Sequence, residues 1–343
     1  MLDNIKLKTF YLDLKESKSI LRCVLGVCFA LIFCTTMDYP GAHMTAIFTL
    51  MFLDVGKQPL GFKKEIGIVI VLYILGFVGV YFGNYLIDYP LVIIPTLGLI
   101  IFWSFRSIII PQPIRLLFLL LVVLIPFISI QANALGDVVL DTLLFNVVIA
   151  LLIVRLAFFI FPFSKKEIIK TNQQEATKLI NYDKVAFNGL VVVFPIVLLF
   201  YVFNSNIALL TLVFIIILAF DPFIYQSKKG LALVVANILG GLAGIIVYNI
   251  LVIAPSYVLY ILLIISTAFY FVTNLFSGKK IAPVYKISFN TFFVVMGVIS
   301  SSDNDAGSTL RERLFQIMLA VFYVVMAFKM MNVLNNPITD NNE

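Results

Sequence analysis

Twelve strongly apolar stretches, broken by short polar connections, fill this chain from Ser19 to about Leu334 and leave few ways to fold it. Hydrophobic residues make up 62% of the 343, more apolar surface than a soluble core of this size can bury, whereas a bilayer accepts it along every lipid-facing helix. Most stretches run close to the roughly 20 residues that cross a hydrocarbon core as a helix. In lipid each backbone amide needs a partner within its own segment or in a closed barrel, and the alternating ten-residue segments of a barrel are absent, so these runs predict α-helices. The sequence places them at 19–37, 42–54, 65–87, 91–105, 115–131, 138–161, 186–203, 207–220, 231–252, 257–276, 286–301 and 309–334. The second, fourth and eighth are the shortest. The fold expected is an all-α polytopic membrane protein with twelve transmembrane helices in two parallel six-helix repeats.

Charge orients the bundle. If residues 1–18 lie in the cytoplasm, every Lys and Arg but Arg155, Arg311 and Arg313 falls on the cytoplasmic side, the positive-inside pattern. The opposite loops, 38–41, 88–90, 132–137, 204–206, 254–256 and 302–308, carry no Lys or Arg at all. Both termini are therefore expected in the cytoplasm of a multi-pass inner-membrane protein. The formal charge of +6 reflects this orientation and not nucleic-acid binding. Residues 1–18 are too polar for a cleavable signal peptide, and the first apolar run is long enough to stay as a span. Cys23, Cys28 and Cys34 all lie in that span and read as small packing residues, with neither a zinc pattern nor a disulfide framework around them.

The longest connection, within 162–185, carries SKKEIIKTNQQEATKLINYDK and divides the spans six and six. The organisation expected is an N-terminal segment 1–18, a first membrane half 19–161, a cytoplasmic linker 162–185, a second half 186–334 and a tail 335–343. The halves resemble one another across this linker. Asp54 matches Asp221, Lys63 and Lys64 match Lys228 and Lys229, and Ile74-Leu75-Gly76 matches Ile238-Leu239-Gly240, with one short gap. Transporters often carry such halves and bind substrate between them near the midplane. Gly76, Gly79 and Gly83 share one face of the third helix, as Ala236, Gly240, Ala243 and Gly244 do in the ninth, which reads first as close helix packing. Pro95, Pro126 and Pro195 fall inside spans and invite kinks.

Ionisable residues at membrane depth are costly and usually face protein or water, which makes them the first functional candidates. Arg155, about two turns from the cytoplasmic end of the sixth helix, either snorkels to the headgroups or lines a cavity for an anion. Asp54 and Asp221 end the second and eighth helices beside basic loops, where they pair with Lys, cap the next helix or gate the cytoplasmic side. Asp141 sits one turn inside the sixth helix on the outer side, within reach of Arg311 or Arg313. His43, the only histidine, follows a Tyr-Pro-Gly turn at the outer mouth, as an interfacial residue or a proton carrier. Ser266, Tyr270 and Asn274 recur every four residues along the tenth helix and Asn290 stands in the eleventh, either lining a pathway or bonding across helices. No phosphate loop, nucleophile elbow or paired metal-ligand motif accompanies them, so neither an enzyme nor a cofactor or metal is expected.

The opening SILRCVLGVCFALIFCTTMDYPGAHMTAIFTLMFLDVG, the sixth-helix ending IVRLAFFIFPF and the twelfth-helix start LRERLFQIMLAVFYVV resemble the fusaric acid resistance and aromatic acid exporter superfamily. The resemblance implies a secondary exporter of aromatic or other organic anions in two six-helix halves, working with a periplasmic membrane-fusion adaptor. The basic-then-glycine signature of the third helix appears only loosely as Lys64-Glu65-Ile66-Gly67, and a short linker stands where the better-known exporters carry a large cytosolic domain. The chain reads as a compact, divergent branch. The partners expected are the bilayer, a small organic anion and that adaptor, with self-association left open. Two readings remain beside it, a major-facilitator-type transporter and a non-transporting scaffold of an envelope complex.

Overall fold

The computed structural model describes residues 2–39, 41–55, 58–86, 88–107, 112–129, 133–163, 182–203, 209–220, 227–279, 281–301 and, further on, 315–316, 319–320, 322–324, 326–327 and 330. Among them, no residue is in a strand. The α-helices are α1 Leu2–Thr36, α2 Ala42–Phe52, α3 Phe62–Tyr81, α4 Pro90–Arg106, α5 Gln112–Ser129, α6 Asn133–Ile160, α7 Tyr182–Phe203, α8 Leu209–Ala219, α9 Ser227–Ile253, α10 Tyr257–Leu275 and α11 Ala282–Ser301. A π-helical turn, Phe82–Leu86, continues α3, and the described residues between 315 and 330 are helical. The protein is a helical membrane protein. Five described segments are long and apolar enough to cross a bilayer: Lys18–Thr36, Phe62–Leu86, Leu135–Ile160, Val235–Ile253 and Tyr257–Leu275.

Helices begin earlier than hydropathy alone indicates. α1 starts at Leu2 because residues 2–18 are polar yet free of Gly and Pro, so the helix propagates through them without a break. It stops at a turn in which Asp38, at φ 53, and Gly41, at φ 74, both take left-handed backbone. Gly41 is the residue that adopts this conformation without strain, and it sets α2 running back along α1. Pro95, Pro126 and Pro195 do lie inside α4, α5 and α7.

The chain forms two compact units. The first comprises Met1–Val69, Thr142–Glu175 and Val235–Leu310. In it α1 packs on α2 and α10, and α2 and α10 both pack on α11. Cys23, Val27, Leu50, Leu53, Phe271, Phe289, Phe292 and Phe293 fill the centre of this ring. The second unit comprises Ile70–Asp141, Ala176–Val234 and Arg311–Glu343. There α7 packs on α8 and α4, and α8 and α4 both pack on α5, around Ile93, Leu97, Ile101, Leu119, Val193, Leu212 and Ile215. These four pairings in each unit correspond when the helix number is shifted by six, and in the second unit the π-helical turn also packs on α5 and α4.

Glycines make the closest approaches. A Cβ on Gly79 would stand 2.7 Å from the Leu121 carbonyl oxygen, and one on Gly83 2.6 Å from Ser129 Oγ, so these two glycines lie against α5, while Gly76 meets the Leu140 side chain of α6. The glycine face of α9 meets α11 in the same manner, Gly240 at the Ser288 carbonyl and Gly244 at the Val295 side chain. Packing between neighbouring spans is what both faces do.

Three helices of the first unit share a polar node. Thr45 Oγ1 on α2, fully buried, donates to Asn146 Oδ1 on α6 and accepts from Cys34 Sγ on α1 at 3.4 Å. Thr45→Val keeps the shape but strips the donor from a buried amide oxygen, a loss of about 1–2 kcal/mol. A fall of a few degrees in the melting temperature of detergent-purified protein is expected, and an unchanged melt would mean that the node contributes nothing.

Candidate functional site

The most informative place in the first unit is the C-terminal end of α2. Eleven residues of helix rise about 16 Å, roughly half of a hydrocarbon core. Leu53, just past its end, reaches to 2.5 Å from where a Cβ on Gly26 would stand, so α2 stops level with Gly26 of α1. Gly26 is eight residues, or about 12 Å, inside the apolar span that opens at Lys18. The chain is not helical from Leu53 to Gly61 in its described part, and α3 begins at Phe62. Irregular backbone at such depth persists where protein or water solvates it. The residues around it are charged.

Asp54 receives Lys286 from the second turn of α11, Nζ to Oδ2, at 2.5 Å. The other carboxylate oxygen accepts the backbone N–H of Val55 at 2.8 Å. The Asp54 side chain is 16% exposed and that of Lys286 33%, so the pair is largely enclosed yet open on the lysine side. The buried Cys23 thiol of α1 lies within electrostatic reach of Asp54, of Lys286 and of its chain neighbour Arg22. Arg22, 4% exposed, lies over the Phe158 ring at 4.5 Å and the Phe163 ring at 5.7 Å. Its Nη1 also donates to the Phe161 carbonyl at 3.3 Å, closing the end of α6.

Arg155 has a partner too. Its Nη2 meets Glu65 Oε2 at 2.9 Å, and its guanidinium lies 4.9 Å from the Phe62 ring centroid. The Arg155 side chain is about half exposed while Glu65 is nearly buried, so the arginine neutralises the carboxylate in the first turn of α3 without being enclosed itself.

On the side of Asp54 and Lys286, α11 adds Asn290, one turn beyond the lysine on the same face. Its carboxamide Oδ1 is buried without a hydrogen-bond partner. Rings stand nearby: Tyr270 of α10 meets Tyr285 edge-on at 6.1 Å, and Phe289 stacks with Phe271 at 5.4 Å.

Of the candidates named from the sequence, the structure brings Asp54 and Asn290 to one neighbourhood through α11, and it puts Arg155 in a pair of its own with Glu65. Ser266 and Asn274 bond to carbonyls of their own helix, at Leu263 and Tyr270. His43 lies at the other end of α2, its imidazole in the space that a Cβ on Gly297 would take. Asp141 is exposed on α6, while Arg311, Arg313 and Asp221 lie outside the described residues. Among the described residues, no three His, Cys, Asp or Glu side chains come together as a metal site.

Glu65, Lys286 and Arg22 are the participants that sequence reading missed as pairing residues. A signal for the first was present, since Glu65 is the one acidic residue of the third span and Arg155 the one basic residue of the sixth. No family model, no curated protein and no solved structure matches the chain.

Proposed function

We propose that this chain is a secondary transporter that moves organic anions across the bacterial inner membrane, in the outward direction that its resemblance to the aromatic acid exporters implies. In this reading it has twelve spans in two six-helix repeats, with both termini and the 162–185 linker in the cytoplasm. The observation that carries the reading is the half-length helix α2, eleven residues ending just before Asp54. The matched Asp221 likewise follows the end of α8, whose apolar run in the sequence, 207–220, is also among the shortest. Short apolar segments at corresponding positions of two halves mark the binding region in many transporters, because their ends bring backbone dipoles and charges to membrane depth. The repeated set of helix pairings in the two units supports the duplication.

The direct test is counterflow. Proteoliposomes preloaded with benzoate should draw in labelled benzoate from dilute outside solution, and protein-free vesicles should not. Absence of counterflow for a panel of organic anions would leave the scaffold reading in its place. Arg155 provides a second test. Because Glu65 and Phe62 already occupy it, Arg155→Gln should lower export in cells only in proportion to the protein that reaches the membrane, and Arg155→Lys should lower it less. Normal amounts of an inactive Gln variant, with activity partly kept by Lys, would instead put Arg155 in the anion path.

A further inference from the structure

We infer that Lys286 is the receptor for the anion and that Asp54 is a built-in carboxylate which the substrate displaces from it. The inference rests on the transporter reading and gives it a binding residue. Three observations converge on Lys286. Through Asp54 it lies beside the end of α2, which stops about 12 Å inside the apolar span of α1, where an ammonium needs a counter-charge. The bond that the described residues give it is to a carboxylate, chemically the same group as the headgroup of an organic acid, and two of its three N–H donors remain for a ligand. One turn away on the same face, the Asn290 oxygen is buried without a donor, and an acceptor in that state costs free energy until a ligand or water supplies one.

Asp54 is suited to being displaced. One of its oxygens holds the Val55 amide at 2.8 Å, so the carboxylate keeps a partner when Lys286 turns away. Among the described residues, the charged group bound to it is Lys286 from α11, and the Cys23 thiol of α1 is near enough to feel the charge of both. Arg155 lacks this arrangement, since displacing Glu65 would strand a carboxylate that is only 11% exposed. A lysine that is occupied by an internal competitor binds ligand with an apparent Kd raised by the fraction of time it is free. Removing the competitor must therefore tighten binding.

The experiment measures equilibrium binding of labelled benzoate to detergent-purified protein, together with counterflow in proteoliposomes. Asp54→Asn should bind benzoate about tenfold more tightly than wild type, if the pair is closed about nine-tenths of the time. Lys286→Gln should lose binding and counterflow. The double variant Asp54→Asn/Lys286→Gln carries no unpaired charge, so it keeps the fold even if Lys286→Gln alone does not, and it too should fail to bind. A pair that merely pins α2 to α11 gives a different pattern: neither single variant tightens binding and the double variant binds normally. That pattern, with wild-type counterflow intact, overturns the inference and leaves the transporter reading standing. Wild-type protein that neither binds nor exchanges benzoate overturns both.

Discussion

Gly240→Ala is expected to remove most of the folded protein from the membrane. The new Cβ would land on the Ser288 carbonyl oxygen, 2.8 Å from its carbon and 2.9 Å from the Thr291 Cβ. Two of these atoms are helix backbone, which cannot rotate aside as a flexible side chain does, so α9 has to move away from α11. That movement also stretches the hydrogen bond from Thr291 Oγ1 to Asn237 Oδ1, now 2.7 Å, whose acceptor sits one turn before Gly240. Overpacking of this kind costs about 3 kcal/mol, roughly a hundredfold in the folded-to-unfolded ratio. Gly79→Leu should do the same in the second unit, where the obstacle is the Leu121 carbonyl. Gly67→Ala is the control, because nothing lies within 4 Å of its Cβ position. Size-exclusion profiles of tagged protein in detergent read all three. A full monodisperse peak for Gly240→Ala would show that α9 and α11 do not approach at that point.

Arg22→Leu should be nearly as damaging. The guanidinium is buried, has its central carbon 4.5 Å from the Phe158 ring centroid and holds the Phe161 carbonyl at an end of α6 where the last carbonyls lack helical partners. A charged hydrogen bond to such a carbonyl contributes about 1.5–3 kcal/mol, and the ring contact in a desolvated site adds about 1–2. A loss of about 3 kcal/mol follows, read as a drop in the melting temperature by intrinsic fluorescence. Arg22→Lys should recover little of it, since an ammonium cannot stack on one group and fork to another. Full recovery by lysine would mean that charge alone matters at this position.

How far the sequence revealed this depends on the range of the interaction. Helices and their approximate spans were readable because the lipid requirement acts locally, on each run of apolar residues such as 138–161. The glycine faces of α3 and α9 were readable as packing surfaces for the same reason, but not the helices they meet, since a stripe of small residues carries no address. The ionic pairs show the limit most clearly. Asp54 and Arg155 stood out as isolated charges in apolar surroundings, yet their partners are 232 residues away at Lys286 and, on another helix, in the first turn of α3 at Glu65. Lys286 looked like one more basic residue at a helix start, an orientation signal. Only the fold, by ending α2 short, turns it inward. Helicity in residues 2–18 went unread because hydropathy reports on lipid contact and is silent about polar helix.

The shortness of α2 also has an electrical meaning. The last four carbonyls of any helix lack internal partners, and in the transporter proposed above those at the end of α2 lie at membrane depth near Asp54 and Lys286, where water and charge would satisfy them. Water that reaches this point carries the potential of its own compartment with it. The membrane voltage then falls over the remaining length, about the 16 Å of α2, and not over the roughly 30 Å of the hydrocarbon core, which nearly doubles the local field. On the proposed binding role of Lys286, an anion leaving it toward the far side would cross almost the whole voltage in that short step. At about 2.3 kcal/mol per charge per 100 mV, the membrane potential then acts on a single release event, so turnover of a monovalent anion in voltage-clamped vesicles should depend on voltage as though one charge crossed the entire membrane.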